Sequence, residues 1–222
     1  MSVGHPAAGV NGLPRGNNAP LAWVAMSSTT RLPAAERRRQ LLDVALGVFA
    51  REGYHEASMN DVAEAAGVTK PVLYQHFESK RELYLELLRD VGGRLERAIA
   101  EATADADGPR QKVENGLRAY FIFVADQREA FQLLFTGGSR ADEEFLVVAQ
   151  HVEASIARFV ADLIEVEGLD PARRTLLAHG VVGVAEATSR YWMDNPGGVD
   201  PDRLADQVAE LVWAGLRGVR QG

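Results

Sequence analysis

The sequence predicts an all-α fold in two parts, a three-helix helix-turn-helix domain followed by a larger C-terminal helical bundle. Three observations predict it. From Pro33 onward every periodic apolar segment has helical spacing, and none alternates as a strand would. The breaks fall at residues that start and stop helices: Gly53, Gly67, Gly108-Pro109, Asp170-Pro171, Pro196-Gly197-Gly198 and Asp200-Pro201. Charge is also unevenly divided. Residues 31–81 carry eight Lys/Arg against seven Asp/Glu, and residues 82–222 fifteen against twenty-four. A near-neutral front segment with clustered arginine, joined to an acidic remainder, fits two tasks in one chain.

The elements follow in order. Residues 1–30 are rich in Gly, Pro, Ala, Asn and Ser without periodicity and read as a disordered tail, within which Met26 is a second candidate start. A helix is predicted from Ala34 to Glu52, with Leu41, Leu42, Ala45 and Phe49 on one face and Gly53 past its end. Ser58 caps a short helix carrying Met59, Val62, Ala63 and Ala66, which Gly67 ends. Thr69 caps a third helix, with Pro71 in its first turn and Val72, Leu73 and Phe77 as its apolar face. Ser79 and Glu82 form a capping-box pattern before a helix to about Ala106, striped by Leu83, Leu87, Val91, Leu95, Ala98 and Ala102. Further amphipathic helices are predicted at 109–126, 128–136, 141–167, 171–194 and 201–219. The boundaries are a tail over 1–30, a helix-turn-helix domain over 31–80 and a helical domain over 81–222.

Composition excludes several classes. The 222 residues are 46% hydrophobic and 25% charged with a net charge of −7, which fits a compact globular protein and argues against coating nucleic acid with the whole surface. There is no cysteine, so disulfides, thiolate metal sites and a cysteine nucleophile are excluded. No apolar run approaches the roughly 18 residues of a bilayer span, and Leu21–Met26 is too short for a secretory signal. A soluble, cytoplasmic protein without membrane contact is expected. His5, His55, His151 and His179 lack metal-ligand spacing, and the Gly180–Gly183 and Gly215–Gly218 pairs lack a phosphate-loop pattern. No acid–base set assembles, so neither an enzyme nor a cofactor is expected.

The stretch Ser58–Phe77 is a short helix, a glycine turn and a second short helix, the plan in which the second helix enters a DNA major groove by its N-terminal end. Thr69, Lys70 and Pro71 stand at that end, where donors and the helix dipole meet phosphates or base edges. Tyr74, Gln75 and His76 follow within one or two turns, each with a polar tip. Arg37, Arg38 and Arg39 add positive charge on the first helix, and Lys80 is a further phosphate candidate. Each has a plainer alternative: Ser58, Thr69 and Ser79 serve as helix caps in any case, the arginines suit a solvated face, and His76 can bond within the fold.

The run Leu73-Tyr74-Gln75-His76-Phe77-Glu78-Ser79-Lys80-Arg81-Glu82-Leu83 resembles the signature that closes the DNA-binding domain of TetR-family transcriptional regulators. The resemblance covers about a quarter of the chain, from Ala34 to Leu88. It implies a sequence-specific regulator, most often a repressor, bound as a homodimer to a palindromic double-stranded DNA operator and responsive to a small-molecule effector. It also implies that Thr69, Lys70, Pro71 and Tyr74 face the groove, that Ser58, His76 and Lys80 touch the phosphate backbone, and that Ala63, Gly67, Val68, Leu73 and Phe77 pack the domain. Arg31-Leu32-Pro33, Lys70–Phe77 and Tyr191-Trp192 are similar to FasR-like actinobacterial regulators of fatty-acid synthesis, which implies an acyl-CoA type of effector. The alternative is a helical ligand-binding or adaptor protein without DNA binding; the presence of Lys70, Tyr74, His76 and Lys80 disfavours it.

The middle helices are aromatic, with Tyr120, Phe121, Phe123, Phe131, Phe135, Phe145 and Phe159. Most are expected to pack, and a subset to line an apolar effector cavity. The cavity candidates are Asn115, Arg118, Phe121, Phe131, Phe135, His151, Arg190 and Tyr191, with Gln132 at its edge. The last two helices carry apolar stripes with Gly180, Gly183, Gly215 and Gly218, which permit close approach of another backbone. TetR relatives dimerise there, and Val184, Thr188, Val208, Leu211, Val212, Gly215 and Leu216 are the expected interface.

Overall fold

Nine α-helices make up the regular structure among the described residues of the computed structural model, which are 33–136, 143–166, 168–195 and 197–219. They are α1 (Ala34–Glu56), α2 (Met59–Ala65), α3 (Lys70–Tyr74), α4 (Lys80–Thr103), α5 (Pro109–Asp126), α6 (Arg128–Phe131), α7 (Glu143–Leu163), α8 (Pro171–Asp194) and α9 (Pro201–Arg217). A π-helical turn, Gln132–Thr136, continues α6. The expected tail and Met26 lie outside the described residues.

The N-terminal helices form where their caps and breakers place them. In α1, Leu41, Leu42, Ala45 and Phe49 are all buried as expected, and Gly53 takes a φ of +79° that turns the last residues into a new direction. Ser58 Oγ accepts from the N–H groups of Asn60 and Asp61 at 3.2 and 3.3 Å, while Asp61 Oδ2 accepts from the Ser58 amide at 2.8 Å, a complete capping box. Those bonds hold the Asp61 carboxyl below its usual range, the Ser58 hydroxyl contributing most. Gly67, at a φ of +63°, makes the turn into α3, where Val68 N–H reaches back to Ala63 O at 3.0 Å. The second capping box forms only in half. Ser79 Oγ accepts from Glu82 N–H at 3.1 Å, but the Glu82 carboxylate reaches the amide of Glu78 instead.

The stripe of α4 departs from expectation. It runs Leu83, Leu87, Val91, Leu95, Ile99 and Thr103, all buried, and leaves Ala98 and Ala102 only partly covered. Uniform four-residue steps carry the buried face slowly around the helix. Its first half therefore meets α1 and α7, and its last turns meet α5, where Gly116 lies against Ile99 and Thr103. The α4–α7 crossing is close at Gly92, where an added Cβ would lie 2.3 Å from Val152 Cγ1.

Residues from Ala34 onward form one unit, whose main apolar core runs from Leu41 through α4 and α5 to Val212 of α9, with a smaller cluster of Ala161, Ile164, Leu169 and Ala178 beside it. Where the N-terminal helices meet the bundle, the core is aromatic. Phe145 of α7 stacks 4.6 Å from both Tyr54 and Tyr84, and Phe49 meets Tyr84 edge-on at 5.2 Å. Burial pushes the Tyr84 phenol up to about 12, with Tyr54 a smaller contributor. Above the rings, the Arg81 guanidinium lies 4.8 Å from the Phe145 centroid and pairs with Glu144.

Candidate nucleic-acid interface and effector cavity

Two side chains fasten α3 from behind. Leu73 and Phe77 are fully buried, so the rest of the helix has one possible outward face. Thr69, Lys70, Pro71, Tyr74 and Gln75 are all on it, with Tyr74 43% exposed. Thr69 makes no side-chain cap bond, so its hydroxyl stays on that surface. Five of the ten expected DNA-contact residues thus share one outward patch: a cation, a hydroxyl, an amide, a phenol and the flat face of a proline. These groups can donate to phosphates and base edges and can pack on a thymine methyl.

The other five are placed differently. Lys80 does not reach outward. Its ammonium donates to the carbonyls of Tyr54, Ala57 and His55 at 2.7, 2.8 and 3.2 Å and lies 4.5 Å over the Tyr54 ring. Three donors on three carbonyls exhaust an ammonium. Lys80 therefore caps the end of α1. Arg38 is occupied as well: it bonds the carbonyl of His76, pairs with Glu86 at 3.2 Å and stacks 4.2 Å over Phe77. It ties α1 to the end of the recognition segment and to α4. Arg37 donates to Gln40 at 2.7 Å, Arg39 is exposed, and Ser58 and His76 are half-buried. The Ser58 hydroxyl is engaged in the cap, donating to Asp61 at 2.6 Å.

The C-terminal bundle contains a cavity of about 260 Å³ between α4, α5, α7, α8 and α9. Lys112, Val113, Gly116, Leu117 and Tyr120 of α5 form one wall, with Ile156, Val160 and Leu163 of α7, Val181, Val182 and Ala185 of α8, and Val212, Trp213 and Leu216 of α9 around it. Burial raises the Tyr120 phenol above its ordinary value, opposed in part by the Ser189 hydroxyl. Of the expected lining residues only Phe135 is there. Phe121 and Phe131 are 0% and 1% exposed in solid core. Arg118 lies outside, against Asp206 at 2.6 Å and Asp202 at 3.5 Å. Arg190 pairs with Glu186, Tyr191 is 70% exposed, and Asn115 is half-buried off the wall. His151 is exposed on a separate, open depression between α4 and α7. Gln132 is exposed away from the wall. The wall of α5 did carry a signal: residues 112, 113, 116, 117 and 120 are one helical face, with glycine making room at its centre.

The last two helices each show two faces. Val208 and Val212 point into the chain's own core at 6% and 7% exposure, and Leu216 borders the cavity. Leu211 and Gly215 face outward. On α8 the outward line is Leu176, Gly180, Gly183, Ala187 and Tyr191, while Val184 and Thr188 are half-buried beside it. Leu176, Tyr191 and Leu211 are 71%, 70% and 63% exposed, so a broad apolar and small-residue face is left uncovered in the single chain.

Comparison with known proteins returns a consistent likeness. The family described as bacterial regulatory proteins, tetR family, matches residues 41–87, and a tetracyclin repressor-like C-terminal domain matches 109–215. Over 190 residues the chain is 34% identical to the HTH-type transcriptional activator FasR of Mycolicibacterium smegmatis, spanning 85% of this chain and 87% of that one. A TetR-like transcriptional regulator from Rhodococcus sp. RHA1 superposes with a TM-score of 0.68 at 31% identity, over 85% of this chain and all of that one (100%). The transcriptional regulator FadR of Bacillus subtilis, in complex with stearoyl-CoA, superposes with a TM-score of 0.70 at 19% identity, over 82% of this chain and 99% of that one.

Proposed function

As the chain belongs to the tetR family of bacterial regulatory proteins, we propose that it is a ligand-responsive regulator that binds a palindromic operator as a homodimer. Each copy presents α3 to one major groove, and the two recognition helices meet half-sites about 34–36 Å apart. The observation that carries this reading is the outward patch of Thr69, Lys70, Pro71, Tyr74 and Gln75 on a helix whose other side is locked by Leu73 and Phe77. The effector reading is carried by the apolar cavity. An effector there shifts occupancy by binding one spacing of the two recognition helices better than another. A fatty acyl thioester is the candidate, since the FadR structure holds stearoyl-CoA and the apolar wall suits an acyl chain.

The family resemblance implies repression, whereas the M. smegmatis relative is named an activator. A reporter driven from the chain's own operator reads the sign, output falling on expression for a repressor and rising for an activator.

The test of DNA recognition is a gel shift on the DNA upstream of the chain's own gene, at two salt concentrations. We expect a discrete complex that survives nonspecific competitor, is abolished by Tyr74→Ala and is weakened by Lys70→Ala. A complex that competitor removes, or that both variants leave untouched, would overturn the assignment and favour an adaptor.

A further inference from the structure

We propose that the cavity takes an amphipathic anion, with its apolar chain inside and its anionic group held by Lys112 at the rim, where it displaces Glu165. This rests on reading the cavity as the effector site and adds what the effector must carry.

The wall divides sharply by chemistry. Among the described residues its charged side chains are Lys112, Glu165 and Arg217, and the remainder is aliphatic apart from Tyr120, Phe135 and Trp213. All three charges stand at helix ends: Lys112 in the opening turns of α5, Glu165 just past α7, and Arg217 as the last residue of α9. The opposite end of α9 meets α5 further along, where Asp202 and Asp206 hold Arg118. At the other end of α9, Leu216 and Val219 pack on the cluster of Ile164, beside the Glu165 that pairs with Lys112, so the end of α9 that bears Arg217 lies toward the start of α5. Among the described residues, charge lies at one end of an apolar chamber, the complement of a chain with a polar head.

The sign follows from the balance at that end. Among the described residues two cations and one carboxylate border that end, and the carboxylate is already on Lys112. The partners differ in burial, the Lys112 side chain being 22% exposed and Glu165 53%. Glu165 can swing into water with little loss, because an exposed pair contributes only about 0–1 kcal/mol. Lys112 is more enclosed, and a ligand covering the rim would leave its ammonium desolvated unless that ligand brought an acceptor. A neutral head would cover the ion pair or break it, either at a cost. An anion exchanges one carboxylate for another negative group and leaves no charge unmatched. Glu165 is then a built-in competitor that holds Lys112 until the anion arrives.

The volume of about 260 Å³ sits just under the roughly 300–1,000 Å³ of small-molecule sites, so a medium-length chain is the probe. The full-length protein is titrated with sodium decanoate, decanol and decanoyl-CoA by calorimetry, with fluorescence of Trp213 on the wall as a second readout. Decanoate and decanoyl-CoA are expected to bind at least about tenfold more tightly than decanol, a charge-assisted contact being worth that much. Lys112→Met is expected to erase the difference while leaving decanol binding unchanged. Glu165→Gln is expected to tighten both anions and not decanol. The ratio of decanoate to decanoyl-CoA identifies a terminal carboxylate or coenzyme phosphates as the source of the charge. Decanol binding as tightly as decanoate, or Lys112→Met weakening both alike, would overturn the proposal and leave the effector reading intact. Binding of none of the three would defeat both.

Discussion

Lys80 sits in the helix-turn-helix signature, yet its charge is spent inside the fold. Its three donors close the end of α1 on the carbonyls of Tyr54, His55 and Ala57, groups that a helix end must otherwise leave to water. Lys70 stands ten residues earlier with its ammonium outside. The two lysines should separate in experiment. Lys80→Met is expected to lower stability by about 1–3 kcal/mol in thermal or urea melts, the cost of unsatisfied polar groups. It should leave the salt dependence of DNA binding unchanged, whereas Lys70→Ala should reduce that slope by about one. A Lys80→Met slope that falls alongside would return Lys80 to the phosphate backbone. Tyr84 gives a second residue-scale expectation. Its phenol is raised from 10.0 to about 12 by burial, so the folded chain keeps a proton that the unfolded chain releases. The associated stability is complete below pH 10 and is lost as pH rises from 10 toward 12. Tyr84→Phe, with no proton to hold, should show a shallower loss in urea unfolding between pH 9 and pH 11.

Among the helices, α4 joins the N-terminal helix α1 to α5 and α7 of the bundle. It begins at the Ser79 cap, touches α1 and α7 through its first half and ends against α5. The contact with α7 depends on Gly92, since a methyl there would meet Val152 at 2.3 Å. Gly92→Ala is expected to destabilise by about 1–3 kcal/mol by overpacking. Adding Val152→Ala should recover most of that loss, and a Gly92→Ala protein as stable as the parent would show that the two helices can move apart freely. The position and period of α4 could be read from the sequence. Its buried face could not be read to the end, because the exchange of α7 for α5 as neighbour turns the stripe toward Ile99 and Thr103.

From Ala34 onward the N-terminal helices are joined to the cavity through one core, with Tyr54, Tyr84 and Phe145 at the joint. A ligand that shifts α4 or α7 therefore moves aromatic rings that are close-packed against α1. The face of Leu176, Gly180, Gly183, Ala187 and Tyr191 on α8 with Leu211 and Gly215 on α9 is the surface a second copy would cover. Light scattering at micromolar concentration is expected to give a dimer mass. Leu176→Glu combined with Leu211→Glu should give a helical monomer by circular dichroism and lose the operator complex. A dimer that survives both charges would place the interface elsewhere. A stable pairing there should bury at least about 1,000 Å² in total.

Periodicity, caps and breakers were enough to establish the helices, the turn at Gly67 and the face of α3. These depend on neighbours a few residues apart, and a short helix pinned by Leu73 and Phe77 has one outward side. The assignments that needed tertiary structure are those where distant segments meet. Whether Lys80 or Arg38 is free depends on carbonyls and a carboxylate 23 to 48 residues away. Whether Phe121 or Tyr120 borders a void depends on how α8 and α9 close over α5, and Val208 and Leu211 share one apolar stripe in sequence although one packs inward and the other faces out. A pattern shows that a residue is apolar or charged; the packing of helices far apart in the chain decides what it meets.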